Sequence, residues 1–309
     1  MERAVVTGGA GFIGSHLVEQ LLDTGASVMV FDDFRLGRRE HLVAAEPADR
    51  LTVVEGDIRS ADDLKAVTDF APDAVFHLAA LHFIPYCNAH PDEALDVNVL
   101  GLNAVIRSVR SVPLTSFLSV SSGAIYGFSD DPWTEDAPAR PDEIYGISKW
   151  LGERIMADFH EDRPEVRSIV ARLFNTYGPR ETNPHVLPEV MKTLAIGKPI
   201  ELGNMWPKRD LIYVTDTAAA FVAAATAGGP GLEVFNVGTG TGTAIQDVMA
   251  VIEEITGHEL DVRQVPSRMR EGDGHLISDP SKLMKATGWT PRNDLKTGLR
   301  KLLESEGLA

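Results

Sequence analysis

The stretch TGGAGFIG, residues 7–14, decides the fold of this chain. It follows an apolar run at residues 4–6 that predicts a buried strand, and it precedes a segment with helical spacing of apolar residues. A strand, a glycine turn and a helix in this order form a phosphate-binding corner, because glycines allow close backbone approach and a helix N-terminus offers N–H groups. The sequence therefore predicts a dinucleotide site whose contacts include Gly8, Gly11, Phe12 and Ile13.

Strand and helix patterns alternate through the first half of the chain. Short apolar runs predict strands at residues 26–31, 51–55, 73–80, 114–120 and 166–174. Such alternation is typical of a parallel sheet that is covered by helices on both faces. The regular alternation breaks after residue 176, where Gly and Pro become more frequent. We predict an α/β fold of the Rossmann type, a doubly wound parallel sheet with a smaller C-terminal substrate-binding lobe.

Composition and charge restrict the classes of function. The 309 residues carry 29 Lys and Arg against 45 Asp and Glu, and the formal charge of −16 argues against a nucleic-acid or anionic-membrane partner. No run of about 18 apolar residues occurs, so we expect no membrane span. The single cysteine, Cys87, allows no internal disulfide, and no leader-like segment precedes the first strand. These features fit a cytoplasmic protein.

Two acidic residues end the second predicted strand. Asp32 and Asp33 lie about 20 residues after the glycine corner, where a carboxylate can accept hydrogen bonds from an adenosine ribose. A carboxylate there repels a 2′-phosphate, so it favours NAD over NADP. Arg35, Arg38 and Arg39 follow closely and can hold a 2′-phosphate, which leaves NADP as the alternative.

Further candidate cofactor contacts lie at the ends of the next two strands. Asp57 follows the third predicted strand and can reach an adenine amino group, although a bare loop aspartate would have no such role. The fourth predicted strand runs into Leu78, Ala79 and Ala80, and small side chains there let the backbone lie against a flat ligand.

Tyr145 and Lys149 stand four residues apart in a predicted helix, so their side chains share one face. A free tyrosine has a pKa near 10, and we expect the nearby ammonium group and a positive nicotinamide ring to lower it. The phenolate can then take a proton from an alcohol while the carbon gives up hydride. Ser122 ends the fifth predicted strand and can hydrogen-bond the same oxygen, with a strand-end cap as its alternative role.

These motifs together resemble the extended short-chain dehydrogenase/reductase family, in particular its NAD-dependent nucleotide-sugar epimerases and dehydratases. The resemblance covers nearly the full length of the chain. The matching segments are residue 32 and residues 7–14, 56–58, 77–80, 98–99, 121–122, 125–127, 145–149, 172–180, 209–216, 270–273 and 288–291.

The resemblance implies an epimerase that acts at C4 of a UDP-hexose with NAD. Tyr145 would take the proton of the C4 hydroxyl, NAD would take the hydride, and the 4-keto sugar would be reduced from its other face. The resemblance adds Ile58 and Asn98 to the cofactor contacts. It also implies a homodimer that pairs through the helices near residues 92–109 and 145–160.

The nucleotide diphosphate is expected at polar residues in the second half of the chain. Two phosphates need donors, and arginine supplies a bidentate fork. The residues that the resemblance implies are Asn175, Arg209, Arg270 and Asp273. We assign residues 1–176 to an NAD-binding domain with returning segments near 211–240, and residues 177–210 and 241–309 to a nucleotide-sugar-binding lobe.

Gly123 and Ala124 favour epimerisation over elimination. The family's 4,6-dehydratases carry Asp or Glu at the two positions after the catalytic Ser or Thr, where an acid protonates the leaving C6 hydroxyl. This chain has no carboxylate at either position. The alternatives are a dehydratase or decarboxylase with a nonstandard acid, an NADP-dependent 4-keto sugar reductase, and a non-catalytic NAD-sensing module.

Residues 81–91 predict a loop, and residues 81–88 are the least family-like part near the expected site. His82 and Cys87 are candidate sugar contacts or an alternative acid/base. The opposite interpretation makes Cys87 a small buried apolar group. His82, Cys87 and His90 have the residue types of metal ligands, but the sequence shows no further ligand cluster, so we expect no metal.

Overall fold

The computed structural model describes residues 1–45, 49–269, 272 and 274–309. The strands within these residues are β1 (Arg3–Thr7), β2 (Ser27–Asp32), β3 (Leu51–Glu55), β4 (Ala74–His77), β5 (Ser116–Ser122), β6 (Arg167–Leu173), β7 (Asn175–Tyr177), β8 (Ile200–Leu202), β9 (Lys208–Tyr213), β10 (Gly231–Val237), β11 (Gly242–Ala244) and β12 (Val262–Gln264).

The α-helices in the same residues are α1 (Phe12–Asp23), α2 (Lys65–Phe70), α3 (Ile84–Ala89), α4 (Pro91–Leu95), α5 (Leu102–Ser108), α6 (Ile144–Asp162), α7 (Val186–Ala195), α8 (Val214–Thr226), α9 (Ile245–Thr256), α10 (Ser281–Thr287) and α11 (Leu295–Ser305). A π-helical turn, Asp96–Gly101, joins α4 to α5. Across the described part of the chain, every helix is too short or too polar to cross a bilayer.

Seven strands form one parallel sheet in the order β10-β6-β5-β4-β1-β2-β3. This arrangement confirms the predicted doubly wound fold. Val6 of β1 pairs with Val30 of β2 on one side and with Phe76 of β4 on the other. The strand order therefore reverses at β1, and a crevice for a ligand opens beyond the carboxyl ends of β1 and β4.

Apolar side chains cover the sheet on both faces. On one face Leu17 and Leu21 of α1 share a core with Phe221 of α8. On the other face Val105 of α5 shares a core with Phe159 of α6. Because both faces are buried, the strands are nearly continuous apolar runs, which is why the sequence predicts them well.

Two small sheets build the second part of the molecule, one in the order β11-β9-β7 and one that pairs β12 with β8. A separate core lies there, with Leu187 and Val190 of α7, Ile252 of α9 and Leu299 of α11 among its members. Strand β10 returns to the large sheet beside β6.

Two local features differ from the sequence-based expectation. The segment predicted as a loop at residues 81–91 contains the short helix α3, which begins with a proline in its first turn, where proline is tolerated. Leu283 of α10 and Trp289 belong to the core of the large sheet, although residues 241–309 were assigned to the lobe. The domain boundaries otherwise stay a prediction.

Candidate active site

A cleft of about 1260 Å³ lies at the carboxyl edge of the large sheet. Its walls come from the glycine corner after β1, the ends of β4 and β5, the start of α6, and loops of the second part of the molecule. The cleft brings together most of the residues that the sequence predicts for the site. Those that line it are Gly8, Gly11, Phe12, Ile13, Asp32, Asp57, Ile58, Leu78, Ala79, Ala80, His82, Ser122, Tyr145, Lys149, Asn175 and Arg209.

The glycine corner approaches the end of β4 too closely for any side chain. Gly8 has a φ of +70°, and a Cβ on it would lie 2.8 Å from the backbone nitrogen of Ala79. A Cβ on Gly14 would collide with the carbonyl oxygen of Gly8. Helix α1 starts at this corner with Gly11 as its N-cap, so its first N–H groups face the cleft without a capping side chain. This geometry fits a dinucleotide diphosphate.

Asp32 ends β2 beside the glycine corner. Its two carboxylate oxygens accept hydrogen bonds from the backbone N–H groups of Ala10 and Phe34, each at 2.9 Å. Burial raises the pKa of this carboxyl, and the two N–H groups oppose that rise. The N–H groups fix the carboxylate at the cleft wall, where it can accept from ribose hydroxyls.

Two of the three arginines that kept NADP as an alternative are held by carboxylates. The Arg35 guanidinium lies 2.7 Å from the Glu93 carboxylate, and that of Arg39 lies 2.9 Å from Glu55. A 2′-phosphate would have to compete with these partners and with Asp32. The arrangement therefore favours NAD.

Asp57, the residue expected to contact adenine, has a partner within the protein. Asp57 lines the cleft, but its carboxylate pairs with Arg59, which in turn contacts Asp96. The Arg59 guanidinium holds the pKa of Asp57 below its ordinary value. The contact between Asp57 and an adenine amino group stays a prediction.

Helix α6 and strand β5 bring the predicted catalytic residues together. Lys149 is buried, and its ammonium group donates to the carbonyl of Val120 at 2.8 Å. Its Nζ lies 5.9 Å from the ring centroid of Tyr145. The Ser122 hydroxyl accepts from the backbone N–H of Ala124 at 3.1 Å, and it interacts with the Tyr145 phenol. Ser122 therefore caps the end of the strand, as one interpretation of the sequence expected, and its hydrogen bond to a substrate oxygen stays a prediction.

The protonation of this group follows from burial. Burial lowers the pKa of Lys149 to about 8, since a charged ammonium is poorly solvated there. Burial also raises the pKa of Tyr145 to about 12, and the hydrogen bond with Ser122 opposes that rise. The expectation that Lys149 lowers the pKa of Tyr145 in the protein itself is therefore wrong, because desolvation of the phenolate dominates.

Asn98 lies behind the cleft wall, in the π-helical turn. Its carbonyl oxygen accepts from the N–H of Leu81 at 2.7 Å, and its amide donates to the carbonyl of Leu81 and to Ser148. These bonds tie the end of β4 to helix α6. Direct contact of Asn98 with a cofactor stays a prediction, since its amide is already engaged.

Cys87 is a correction to the predicted site. Its side chain is fully buried in a small core with Leu81 and Ala94, and its thiol donates to the Leu81 carbonyl at 3.5 Å. Burial raises the pKa of the thiol, so it stays protonated. Because helix α3 turns Cys87 inward, its side chain does not line the cleft in which the sugar contact was predicted. His82, by contrast, does line the cleft.

The predicted phosphate-binding residues are only partly described. Asn175 begins β7, and Arg209 lies in β9 with its guanidinium over the Phe128 ring at 5.1 Å. Arg209 also donates to the carbonyl of Lys208. Arg270 and Asp273 lie outside the described residues. Their contacts with a diphosphate stay predictions.

The structure reveals a polar cluster that sequence analysis missed. Glu181, Asn183 and His185 follow β7 in one loop and line the cleft beside His82. The His82 and Asn183 side chains are 2.9 Å apart, and so are those of His185 and Glu181. In sequence, these residues sit in an irregular segment with no motif. Within the described residues, no group of three or more His, Cys, Asp or Glu is placed to hold a metal ion.

The fold and the cleft define a class of protein, a dinucleotide-dependent enzyme in which the predicted catalytic residues Ser122, Tyr145 and Lys149 line one cleft. The chain matches the model of the NAD dependent epimerase/dehydratase family over residues 4–238. It therefore belongs to this family, and NAD is its cofactor.

Relatives and solved structures agree with this assignment. The UDP-glucose 4-epimerase of Mycolicibacterium smegmatis is 32% identical over 311 residues, which cover 98% of this chain and 97% of the relative. The UDP-glucose 4-epimerase of Thermus thermophilus, solved with NAD, has a TM-score of 0.88 and 30% identity over 99% of both chains. A UDP-N-acetylglucosamine 4-epimerase from Methanobrevibacter ruminantium, solved with UDP-N-acetylmuramic acid, has a TM-score of 0.90 and 29% identity over 98% of this chain and 97% of its own.

Proposed function

We propose that the protein is a UDP-hexose 4-epimerase that oxidises the sugar transiently at C4 and reduces it again. One observation carries the proposal: Ser122, Tyr145 and Lys149 meet beside the glycine corner, in one cleft. A module that only sensed NAD would need no such base. The relatives named above act on UDP-sugars at C4, which supports the same substrate class.

The chain's own residues move the proton of the reaction. Tyr145 accepts the proton of the C4 hydroxyl, and the Ser122 hydroxyl orients that oxygen and stabilises the phenolate. Lys149 keeps a positive charge next to the phenol at neutral pH, because its pKa stays at about 8. When bound, oxidised NAD supplies the hydride acceptor and a positive ring charge that favours the phenolate. Tyr145 returns the proton after the 4-keto sugar has turned over.

The residues after Ser122 favour epimerisation over elimination. Gly123 packs against the ring of Phe174, and a Cβ on it would lie 3.2 Å from that ring. Ala124 lines the cleft with a methyl group only. An acid that protonates a leaving C6 hydroxyl is therefore missing from its usual place in this family. The reductase alternative is disfavoured by Asp32 and by the carboxylates that hold Arg35 and Arg39.

The test is a Tyr145→Phe variant, assayed with UDP-glucose and UDP-galactose. Loss of the general base should lower kcat by about 10²–10⁴-fold while NAD stays bound. Tyr86→Phe is the matched control, because Tyr86 is exposed and its hydroxyl donates to Glu93. Full activity in Tyr145→Phe would refute the mechanism.

We further propose that the protein is a cytoplasmic homodimer that pairs through α4–α5 and α6. Leu100 and Trp150 support the dimer, since these large apolar side chains are 59% and 39% exposed on the two helical segments. Light scattering should give twice the monomer mass. Replacing both residues with charged ones should give monomers, whereas a monomeric wild type contradicts the dimer.

A further inference from the structure

The cluster of Glu181, Asn183 and His185 beside His82 has features of a binding site. The side chain of Glu181 is only 6% exposed, and its carboxylate accepts from the Nδ1 of His185 at 2.9 Å. Asn183 is buried, with its amide against the Nε2 of His82. The rings of His82 and His185 are 6.0 Å apart. Four polar side chains from two separate loops thus form one continuous wall of the cleft.

The wall adjoins the catalytic centre. The pKa of His82 is lowered to about 4 by burial and by the nearby His185 and Lys149, so His82 is neutral at pH 7. The electrostatic effect of Lys149 on His82 places the wall near the catalytic centre. Among these four side chains, Glu181 is the acidic one. His82 thus links the Glu181–His185 pair to the catalytic centre, and a sugar bound at Tyr145 occupies the same cleft that Glu181 lines.

The loop that carries the wall is anchored on the cofactor side. Arg180 adopts a left-handed φ of +73°, and its guanidinium lies 2.6 Å from the Glu19 carboxylate of α1. The Nε2 of His16, also in α1, lies 3.3 Å from the carbonyl oxygen of Pro179. Because α1 holds the dinucleotide corner, the loop has a fixed position relative to the cofactor site. Glu181 is thus held in place rather than free to swing away from an unfavourable ligand.

We propose that Glu181, oriented by His185 and flanked by His82 and Asn183, selects uncharged UDP-hexoses and rejects UDP-sugars that carry a carboxylate. This inference rests on the proposed function, and it names the substrate class of the same site. The neutral imidazole and amide groups can exchange hydrogen bonds with sugar hydroxyls. A uronate would place its carboxylate near that of Glu181, and an unfavourable charge pair of this kind is a common source of specificity.

Two like charges about 5 Å apart at an effective dielectric of about 20 weaken binding by about 200-fold. The experiment therefore compares kcat/KM for UDP-glucose and UDP-glucuronate with the NAD-loaded protein. We expect the wild type to prefer UDP-glucose by about 100-fold or more, and Glu181→Gln to reduce this preference at least tenfold. The ratio is measured on one preparation, so a partly folded variant still gives a valid value.

Three further variants complete the test. Glu181→Asp keeps the charge and should keep the wild-type preference. Glu181→Ser removes the charge with a different side chain and should behave like Glu181→Gln. Glu254→Gln is the control, because it removes the same charge from the surface of α9, where Glu254 pairs with Lys296 outside the cleft. A preference in Glu181→Gln within threefold of the wild type, or a wild type that prefers the uronate, overturns the inference.

Binding of the two nucleotide sugars to NAD-loaded protein, measured by calorimetry, separates this inference from the proposed function. A wild type that binds both but epimerises neither refutes the epimerase proposal. In that case the ratio of the dissociation constants for UDP-glucuronate and UDP-glucose still tests the selection by charge. A tenfold shift of this ratio in Glu181→Gln supports the selection, and an unchanged ratio overturns it. Failure to bind either sugar overturns both.

Discussion

Replacing Lys149 with methionine tests the electrostatics of the catalytic centre. The pKa of Lys149 falls from 10.5 to about 8 on burial, so its charged form destabilises the cofactor-free fold. At about 1.36 kcal/mol per pKa unit, this cost is about 3 kcal/mol at pH 7 and about 1 kcal/mol at pH 10. The folded pKa lies below the unfolded one, so the cost is complete below pH 8 and disappears as the pH rises through 10.5.

Lys149→Met removes this cost but also loses the hydrogen bond to Val120, an effect of about 1–3 kcal/mol that does not depend on pH. We compare the free energy of unfolding of the variant with that of the wild type at each pH. The variant's value relative to the wild type should be about 2–3 kcal/mol higher at pH 7 than at pH 10. Urea denaturation of cofactor-free protein at both pH values measures this. Lys192→Met is the control, since Lys192 is 65% exposed and should show no such change. A difference between variant and wild type that is the same at both pH values would refute the reasoning.

Three other changes give separate tests. Asp32→Ala should weaken NAD binding by about 10–100-fold and NADP binding much less, because only NAD has a free 2′-hydroxyl to donate to the Asp32 carboxylate. A fluorescence titration measures both affinities, and equal losses contradict this expectation. Gly14→Ala should lower the free energy of unfolding by about 1–3 kcal/mol, measured by thermal denaturation, because the added Cβ meets the backbone of the glycine corner. Gly229→Ala should change stability little, because a Cβ at residue 229 meets no other atom. Glu153→Gln should cost about 3–5 kcal/mol in urea unfolding, because Arg172 is buried against Glu153 at 2.8 Å; a loss below about 1 kcal/mol contradicts this.

The sequence predicts the fold because its strongest signals are local. The five inner strands of the large sheet are buried on both faces, so they appear as apolar runs, and the glycine corner needs its residue types for steric reasons alone. Tyr145 and Lys149 are neighbours on one helix turn, so their spacing is informative by itself. Ser122 could be added because the carboxyl ends of parallel strands share one edge.

The remaining parts of the site depend on contacts between distant segments. The wall of His82, Asn183, His185 and Glu181 joins residues that are about 100 positions apart, and no spacing rule connects them. Cys87 was misplaced because helix α3 turns its side chain inward, and the segment carries no helical periodicity long enough to show it. The pKa of Tyr145 was misjudged for a similar reason, since desolvation depends on the packed environment.

The most direct test of the epimerase proposal is NMR of UDP-glucose incubated with the NAD-loaded enzyme in D₂O. We expect conversion to UDP-galactose up to equilibrium, with no deuterium at any sugar carbon. This follows because the C4 hydrogen leaves and returns as hydride, and only the hydroxyl proton passes through Tyr145. Deuterium at C5, or loss of the 6-hydroxyl group, would contradict the account and indicate elimination.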